Sequence, residues 1–348
     1  MASKTNSRRI GLPGLAGILI SVALLWWALH DVSLTELAAR ARGTRPLPFI
    51  MAIVLATLAF PVRTVRWRYL LQVDGKKLAF TPLWHATAIG FMANNLLPAR
   101  AGEVARIYAA GRLTKASYSS SLASVAIERV FDGLVIIALM ALAISAGGFR
   151  EGGTIAGIPP ANLALGAATA FVLVLLVAMA AVRWTAQAIA LSRKFFGKIL
   201  PRQHAARAVN IIEGMLSGLD SLKSPSRFTA VLFWSLVVWL VNGSAFWFAF
   251  VALDVDVQWT GAFLLQGVIA LGIAVPSSPG FFGPFEALTR ATLALYGVSA
   301  AQSVSYAVVF HLGGFVPITL LGLYSLSRAH LHLSDLTTAS ESNLPEAN

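Results

Sequence analysis

The chain has 348 residues, 57% hydrophobic and only 12% charged, with no cysteine and a formal net charge of +12 from 27 Lys+Arg against 15 Asp+Glu. A soluble domain carries about 25% charge, so this composition excludes the soluble classes, and the missing cysteines exclude disulfides, thiolate metal sites and cysteine nucleophiles. The bases cluster in loops between apolar runs, where topology explains them more simply than nucleic acid does, and attraction to anionic lipid headgroups fits the same pattern.

The apolar runs are about 17 to 25 residues long, enough to cross a core of about 30 Å as helices, and the short alternating segments of a membrane barrel are absent. Ser7-Arg8-Arg9 precedes a run at about 11–30. That run has no prompt small-residue cleavage site and carries Leu25-Trp26-Trp27 as an interfacial belt, so it reads as a retained first span. Residues 31–46 hold a short amphipathic piece around Leu34, Leu37 and Ala38, expected on the membrane surface. The run at about 47–65 ends in Arg63, Arg66 and Arg68, with Lys76 and Lys77 behind it, which places its exit and the N-terminus in the cytoplasm.

Residues 80–97 are apolar but short, and Asn94-Asn95-Leu96-Leu97-Pro98-Ala99-Arg100-Ala101-Gly102-Glu103 then breaks the run before 103–115, with Arg106, Arg112 and Lys115. Bases at both ends argue for a re-entrant hairpin entering from the cytoplasm, which is tolerated at depth only under cover of protein or a water-filled cavity. Residues 117–148 read as one long helix carrying Glu128, Arg129 and Asp132; at about 1.5 Å per residue Glu128 lies roughly 16 Å beyond Ser117, well inside the membrane. A Gly- and Pro-marked outer loop leads to a span at 161–182.

The loop 183–227 is the most basic stretch, with Arg193, Lys194, Lys198, Arg202, Arg207 and Lys223, and is expected in the cytoplasm. Val209, Ile212, Leu216 and Leu219 have helical spacing, which predicts a surface helix on the bundle or the headgroups. A span at 228–251 leads to Asp254 and Asp256, a loop without bases and therefore outside. Residues 260–275, the break Pro276-Ser277-Ser278-Pro279-Gly280-Phe281-Phe282-Gly283-Pro284-Phe285-Glu286, and 286–297 form a second hairpin opening outward. A last span, 303–326, ends at Arg328 inside, and the polar tail after His332 is expected to be disordered.

The expected architecture is an all-α polytopic membrane protein of six full spans and two re-entrant hairpins, with both termini cytoplasmic. It is read as one membrane domain, 1–327, with halves 47–182 and 228–327 joined by 183–227, followed by a tail, 328–348. Glu103 precedes Glu128 by 25 positions and Glu286 precedes His311 by 25. With hairpins opening to opposite faces, this predicts an inverted repeat whose broken segments meet near the midplane.

Intramembrane ionisable groups are costly unless paired or hydrated, which makes Arg100, Glu103, Arg106, Glu128, Arg129 and Asp132 candidates for substrate binding or transport. Their alternative is a neutral network that only fixes the first hairpin. Arg129 and Asp132 can pair along their helix, as can Glu286 and Arg290. His311 reads as either a bonded packing residue or a site residue. Asn94 and Asn95 would satisfy freed backbone at the first tip or touch a headgroup; Gly280 and Gly283 would permit the second turn; His85 and Gln266 could line a polar groove. Glu103 and Glu286 are expected to form the two halves of one site. No nucleotide loop, zinc pattern or serine elbow is found, so no cofactor and no catalytic activity is expected.

Asn95-x-x-Pro98-x-x-x-Gly102-Glu103, then Glu128-Arg129-x-x-Asp132, then Pro276-x-x-Pro279-Gly280-x-x-Gly283-x-x-Glu286 resemble, in that order, the lysylphosphatidylglycerol synthetase membrane-region family, the flippase-like integral membrane proteins, over about residues 50–326. The resemblance implies movement of a lipid between leaflets: a phospholipid, a hopanoid or an isoprenoid-linked lipid. In the bifunctional synthetases an aminoacyl-transferase domain follows the membrane region; only a short tail follows Arg328, so lipid aminoacylation is not expected. The expected partners are membrane lipids and a lipid-synthesis enzyme, and the expected location is a bacterial inner membrane. The competing readings are a non-transporting adaptor for a lipid or a synthase, and a lipid-modifying enzyme using Glu103 or Glu128 as a base.

Overall fold

The computed structural model describes residues 12–73, 76–97, 100–149, 153–155, 157–220, 224–273 and 278–336. Helices α1 (Leu12–Leu29), α3 (Pro46–Leu70), α6 (Tyr118–Ala146), α7 (Pro160–Arg183), α10 (Pro225–Ala252) and α13 (Ala300–Arg328) occupy the six expected spans. By length and composition α3, α10 and α13 can cross a membrane; α6 has 29 residues and carries the charges described below. Short α2 (Leu34–Arg42) links α1 to α3, and a two-residue ribbon, β1 (Gln72–Val73) with β2 (Lys76–Lys77), follows α3. The two hairpins are α4 (Phe80–Leu96) with α5 (Gly102–Leu113), and α11 (Trp259–Gly272) with α12 (Pro284–Ala294).

Polar contacts at the helix ends fix the directions. At one end Arg45 N–H donates to Ala252 O at 2.8 Å, Gln258 Nε2 to Gly147 O at 2.7 Å and Gln302 Nε2 to Asp254 O at 2.7 Å. These gather the starts of α3, α11 and α13 with the ends of α6 and α10. At the other end Arg227 bonds Gln72, and His85 Nδ1 lies 3.1 Å from Ser325 Oγ, which gathers the end of α3, the starts of α4 and α10, and the end of α13. The hairpin α4–α5 therefore opens at one end of the bundle and α11–α12 at the other. Their tips meet between: α4 packs against the 3-10 turn Pro279–Phe281, and Asn95 Nδ2 donates to Thr319 Oγ1 of α13 at 2.8 Å.

The turns follow from the sequence. Gly280 and Gly283 have φ of 65° and 97°, conformations open to glycine. Gly102 serves differently: it is helical, and a Cβ there would lie 2.0 Å from Gly90 O, so its bare Cα is what lets α5 lie against α4. Pro279 begins the 3-10 turn, while Pro98 and Pro276 lie outside the described residues. The basic segment forms two helices, α8 (Thr185–Ile199) and α9 (Arg202–Asp220), rather than one; α9 packs on α6 and buries Val209. Leu336, in the tail expected to be disordered, is buried with Leu331 in the core around Trp67 and Leu83.

A charged cavity between the hairpin tips

Three helices carry the charges. Arg63 and Arg66 lie three apart on one face of α3, Arg106 projects from α5, and Glu128, Arg129 and Asp132 share a face of α6. Glu128 is fully buried and is held by three guanidinium groups: Arg106 through a two-pronged bond of 3.0 and 3.1 Å, Arg129 at 2.8 Å and Arg66 at 3.1 Å. Asp132 accepts from Arg66 Nη1 at 2.5 Å and from Trp239 Nε1 of α10 at 2.8 Å, with Arg129 at 3.6 Å and Arg63 at 3.8 Å beyond. The guanidinium of Arg106 stacks 3.8 Å from the Trp67 ring, and that of Arg63 lies 5.3 Å from Trp239. Planar, bidentate and stacked contacts of this kind select arginine over lysine.

This layer forms one wall of a cavity of about 160 Å³ between the tips, lined by Arg63, Asn94, Arg100, Glu103, Arg106 and Arg129 from the first half and by Trp239, Ile273 and Phe281 from the second. Asn94 Oδ1 accepts the Gly102 N–H at 2.9 Å and closes the first turn. Arg100, at φ 57°, reaches Glu103 at 3.1 Å. Adjoining it, and sharing Arg63, Asn95, Trp239 and Phe281, is an apolar chamber of about 250 Å³ among Phe60, Phe246, Phe285, Phe310 and Phe315. Asn242 and Gln266 lay a polar seam along this chamber, linked at 3.1 Å.

The second hairpin has its own polar contact. Glu286 is 1% exposed; its Oε2 accepts the Gly283 N–H at 2.7 Å and its Oε1 lies 2.7 Å from His311 Nδ1. Only His311 of this pair faces the chamber. Glu103 and Glu286 are therefore not two halves of one site: Glu103 lines the cavity, while Glu286 lies behind His311 as an internal cap of α12. Nor does Glu286 pair with Arg290. That guanidinium turns to Asp31, at 2.6 Å on both oxygens, and to the Ala28 carbonyl at 2.8 Å, because the last turn of α1 lies alongside and offers acceptors. The 25-residue intervals also differ in substance, since Glu286 and His311 touch, whereas Glu128 faces Arg106 rather than Glu103. His85 bonds Ser325 far from the cavity; Gln266 does line the chamber.

Arg63 and Arg66 are the site residues missed in the sequence. They look like topological bases at the end of a span, yet Arg66 is fully buried and Arg63 is 8% exposed. The signal was their spacing: i and i+3 with Trp67 and Leu70 still to come, so the helix continues past them into its core.

Fold and site define a polytopic helical membrane protein in which two broken hairpins, opening in opposite directions, meet at an arginine-rich cavity. The chain belongs to the family described as the lysylphosphatidylglycerol synthase TM region, whose model matches residues 14–322. It is similar to glycosyltransferase AglD of Haloferax volcanii, 27% identical over 330 residues, 88% of this chain and 52% of AglD. The chain thus spans about half the length of that relative. It is 25% identical to UPF0104 membrane protein PH1989 of Pyrococcus horikoshii, over 88% of this chain and 93% of that one. A UPF0104 membrane protein of Methanothermobacter thermautotrophicus is 23% identical, over 89% and 93%.

Proposed function

We propose that the chain is a flippase-like transporter that moves a lipid between leaflets, its head passing through the cavity between the hairpin tips while its tails stay among the apolar helix faces. The observation that carries this reading is the charge balance of the buried layer. Among the described residues, four guanidinium groups (Arg63, Arg66, Arg106 and Arg129) stand against two carboxylates (Glu128 and Asp132) in the layer beside this cavity. Uncompensated charge inside a membrane is costly, and an anion offsets an excess of two cations. A phosphate ester supplies that charge with oxygens suited to guanidinium forks, and the adjoining aromatic chamber suits the stem that joins head to tail. Arg129, with its side chain 42% exposed, is the group best placed to meet the head first.

This reading requires no covalent step, and we treat the chain as a carrier rather than an enzyme; the activity stated in the AglD name is not carried over from a match to about half of that protein. The test is purified protein in liposomes with fluorescent phosphatidylglycerol, and with an uncharged diacylglycerol as comparison. Redistribution between leaflets should exceed that of protein-free liposomes for the phosphate-bearing lipid and should fall about tenfold in Arg129→Gln, the order expected for one charge-assisted contact. Rates equal to those of protein-free liposomes for every lipid class would sink the transporter reading.

A further inference from the structure

Both ring nitrogens of His311 face acceptors. Nδ1 is 2.7 Å from Glu286 Oε1 and Nε2 is 2.8 Å from the Gly280 carbonyl. A neutral imidazole has one N–H and one lone pair. With Glu286 ionised and His311 neutral, one of the two contacts would set a lone pair against an oxygen at hydrogen-bond distance. The geometry therefore contains one more proton. Either an imidazolium faces a carboxylate, or a carboxylic acid donates to Nδ1 while Nε2–H donates to Gly280. Both forms are neutral as a pair, and both leave Glu286 Oε2 to accept from Gly283.

The pair is closed off from solvent. The ring is stacked between Phe282 and Phe285, at 4.5 and 4.3 Å between centroids, and the two side chains are 11% and 1% exposed. When the proton leaves, the charge-assisted contact to Glu286 outlasts the neutral one, so the bond that breaks is the one to Gly280. Gly280 lies in the 3-10 turn of the second tip, and the next residue, Phe281, lines both the charged cavity and the apolar chamber.

We propose that Glu286 and His311 form a binding site for one proton, and that its occupancy fixes the tip of the second hairpin against the first, so that proton release frees the tip and couples a proton to passage of the lipid head. The coupling half rests on the transport reading; the binding site does not. Several ionisable groups on the elements packed against α13 have partners of their own. Arg290 of α12 is bound to Asp31 beyond the end of α1, Glu36 and Arg40 of α2 pair with each other, and His85 of α4 sits at Ser325. Arg63 of α3 lines the same chamber across from His311 and is drawn to Asp132.

The chain has no cysteine, so a single Ser278→Cys at the tip reports its own accessibility. Full-length protein in liposomes is labelled with a small thiol reagent from about pH 5 to about pH 8, the range in which histidine commonly titrates. Each rate is divided by that of denatured protein at the same pH to remove the thiolate dependence. The ratio should rise about tenfold across the range, the signature of a released tip. Glu286→Gln keeps every bond of the proton-loaded form, its amide donating to Nδ1 and its oxygen accepting from Gly283, so labelling should stay slow and flat. His311→Ala should be fast and flat. A flat profile in Ser278→Cys alone, or a rising one in Glu286→Gln, overturns the proton site.

Phosphatidylglycerol redistribution measured with and without a pH gradient tests the coupling: the gradient should accelerate it in wild type and not in Glu286→Gln. Redistribution indifferent to the gradient in wild type overturns the coupling and leaves the transport reading intact. No redistribution under any condition overturns the transport reading and the coupling with it, while the cysteine profile still decides the proton site.

Discussion

The carboxylate of Glu128 holds three guanidinium groups at once, so its removal takes away the counter-charge that all three share. Breaking a buried pair costs about 3–5 kcal/mol, so Glu128→Gln should lower the thermal midpoint in detergent more than any substitution at exposed Glu36. Gly102 is constrained by space instead. Gly102→Ala puts a methyl group 2.0 Å from the Gly90 carbonyl and 2.5 Å from Asn94. Overpacking of this order costs about 1–3 kcal/mol, and circular-dichroism melts should show it. At this scale the sequence revealed the acids and Arg106, because charge within an apolar run stands out. It concealed Arg63 and Arg66, because arginines near the end of a span are what topology leads one to expect. The partner of Arg290 was concealed too, since Asp31 is 259 positions away.

Among the elements, the hairpins were legible because a proline, a glycine and an acid interrupt each apolar run, and the long α6 because nothing interrupts it. How α1 docks was not legible: an almost wholly apolar helix has no distinguishing face. It lies along α12, Ser21 Oγ accepts the N–H of Ser278 just ahead of the 3-10 turn at 2.8 Å, and Arg290 closes over the chain just past the last turn of α1. The Arg290 guanidinium bound to Asp31 holds that exposed carboxyl below its usual value. Because the native value is the lower one, this contact supports the docked helix above the ordinary carboxylate pKa of about 3.9 and is lost as pH falls through the native value. Limited proteolysis at residues 30–33 should therefore be slow at neutral pH and quicken in acid, and Asp31→Asn should be as susceptible at neutral pH as wild type is in acid.

Across the whole molecule, the opposed hairpins make a directional prediction. Single cysteines at Lys115, near the open end of α4–α5, and at Asp256, near that of α11–α12, should react with an impermeant thiol reagent from opposite sides of a sealed vesicle. Reaction from one side would contradict the helix directions fixed by the end contacts. Alternating charge in the loops carried this much of the architecture in the sequence, because a membrane penalises misplaced bases. The meeting of the tips was expected from the paired breaks. Its asymmetry was not, because a permanently charged first half and a histidine-bearing second half share spacing without sharing chemistry.

The wide separation of the bonded residues also bears on how the protein is made. Arg66 emerges 66 positions ahead of Asp132 and 169 ahead of Ser235, while Ser21 waits 257 positions for the Ser278 amide. During synthesis the first helices enter the bilayer carrying cations whose counter-ions have not yet been translated, and the final lock on α1 arrives with the last fifth of the chain. Insertion of the early segments must therefore be provisional, with Arg63 and Arg66 at the headgroup surface or in the insertion machinery until α6 draws them inward. A chain stopped before Asp132 should remain extractable from membranes under conditions that leave the finished protein in place.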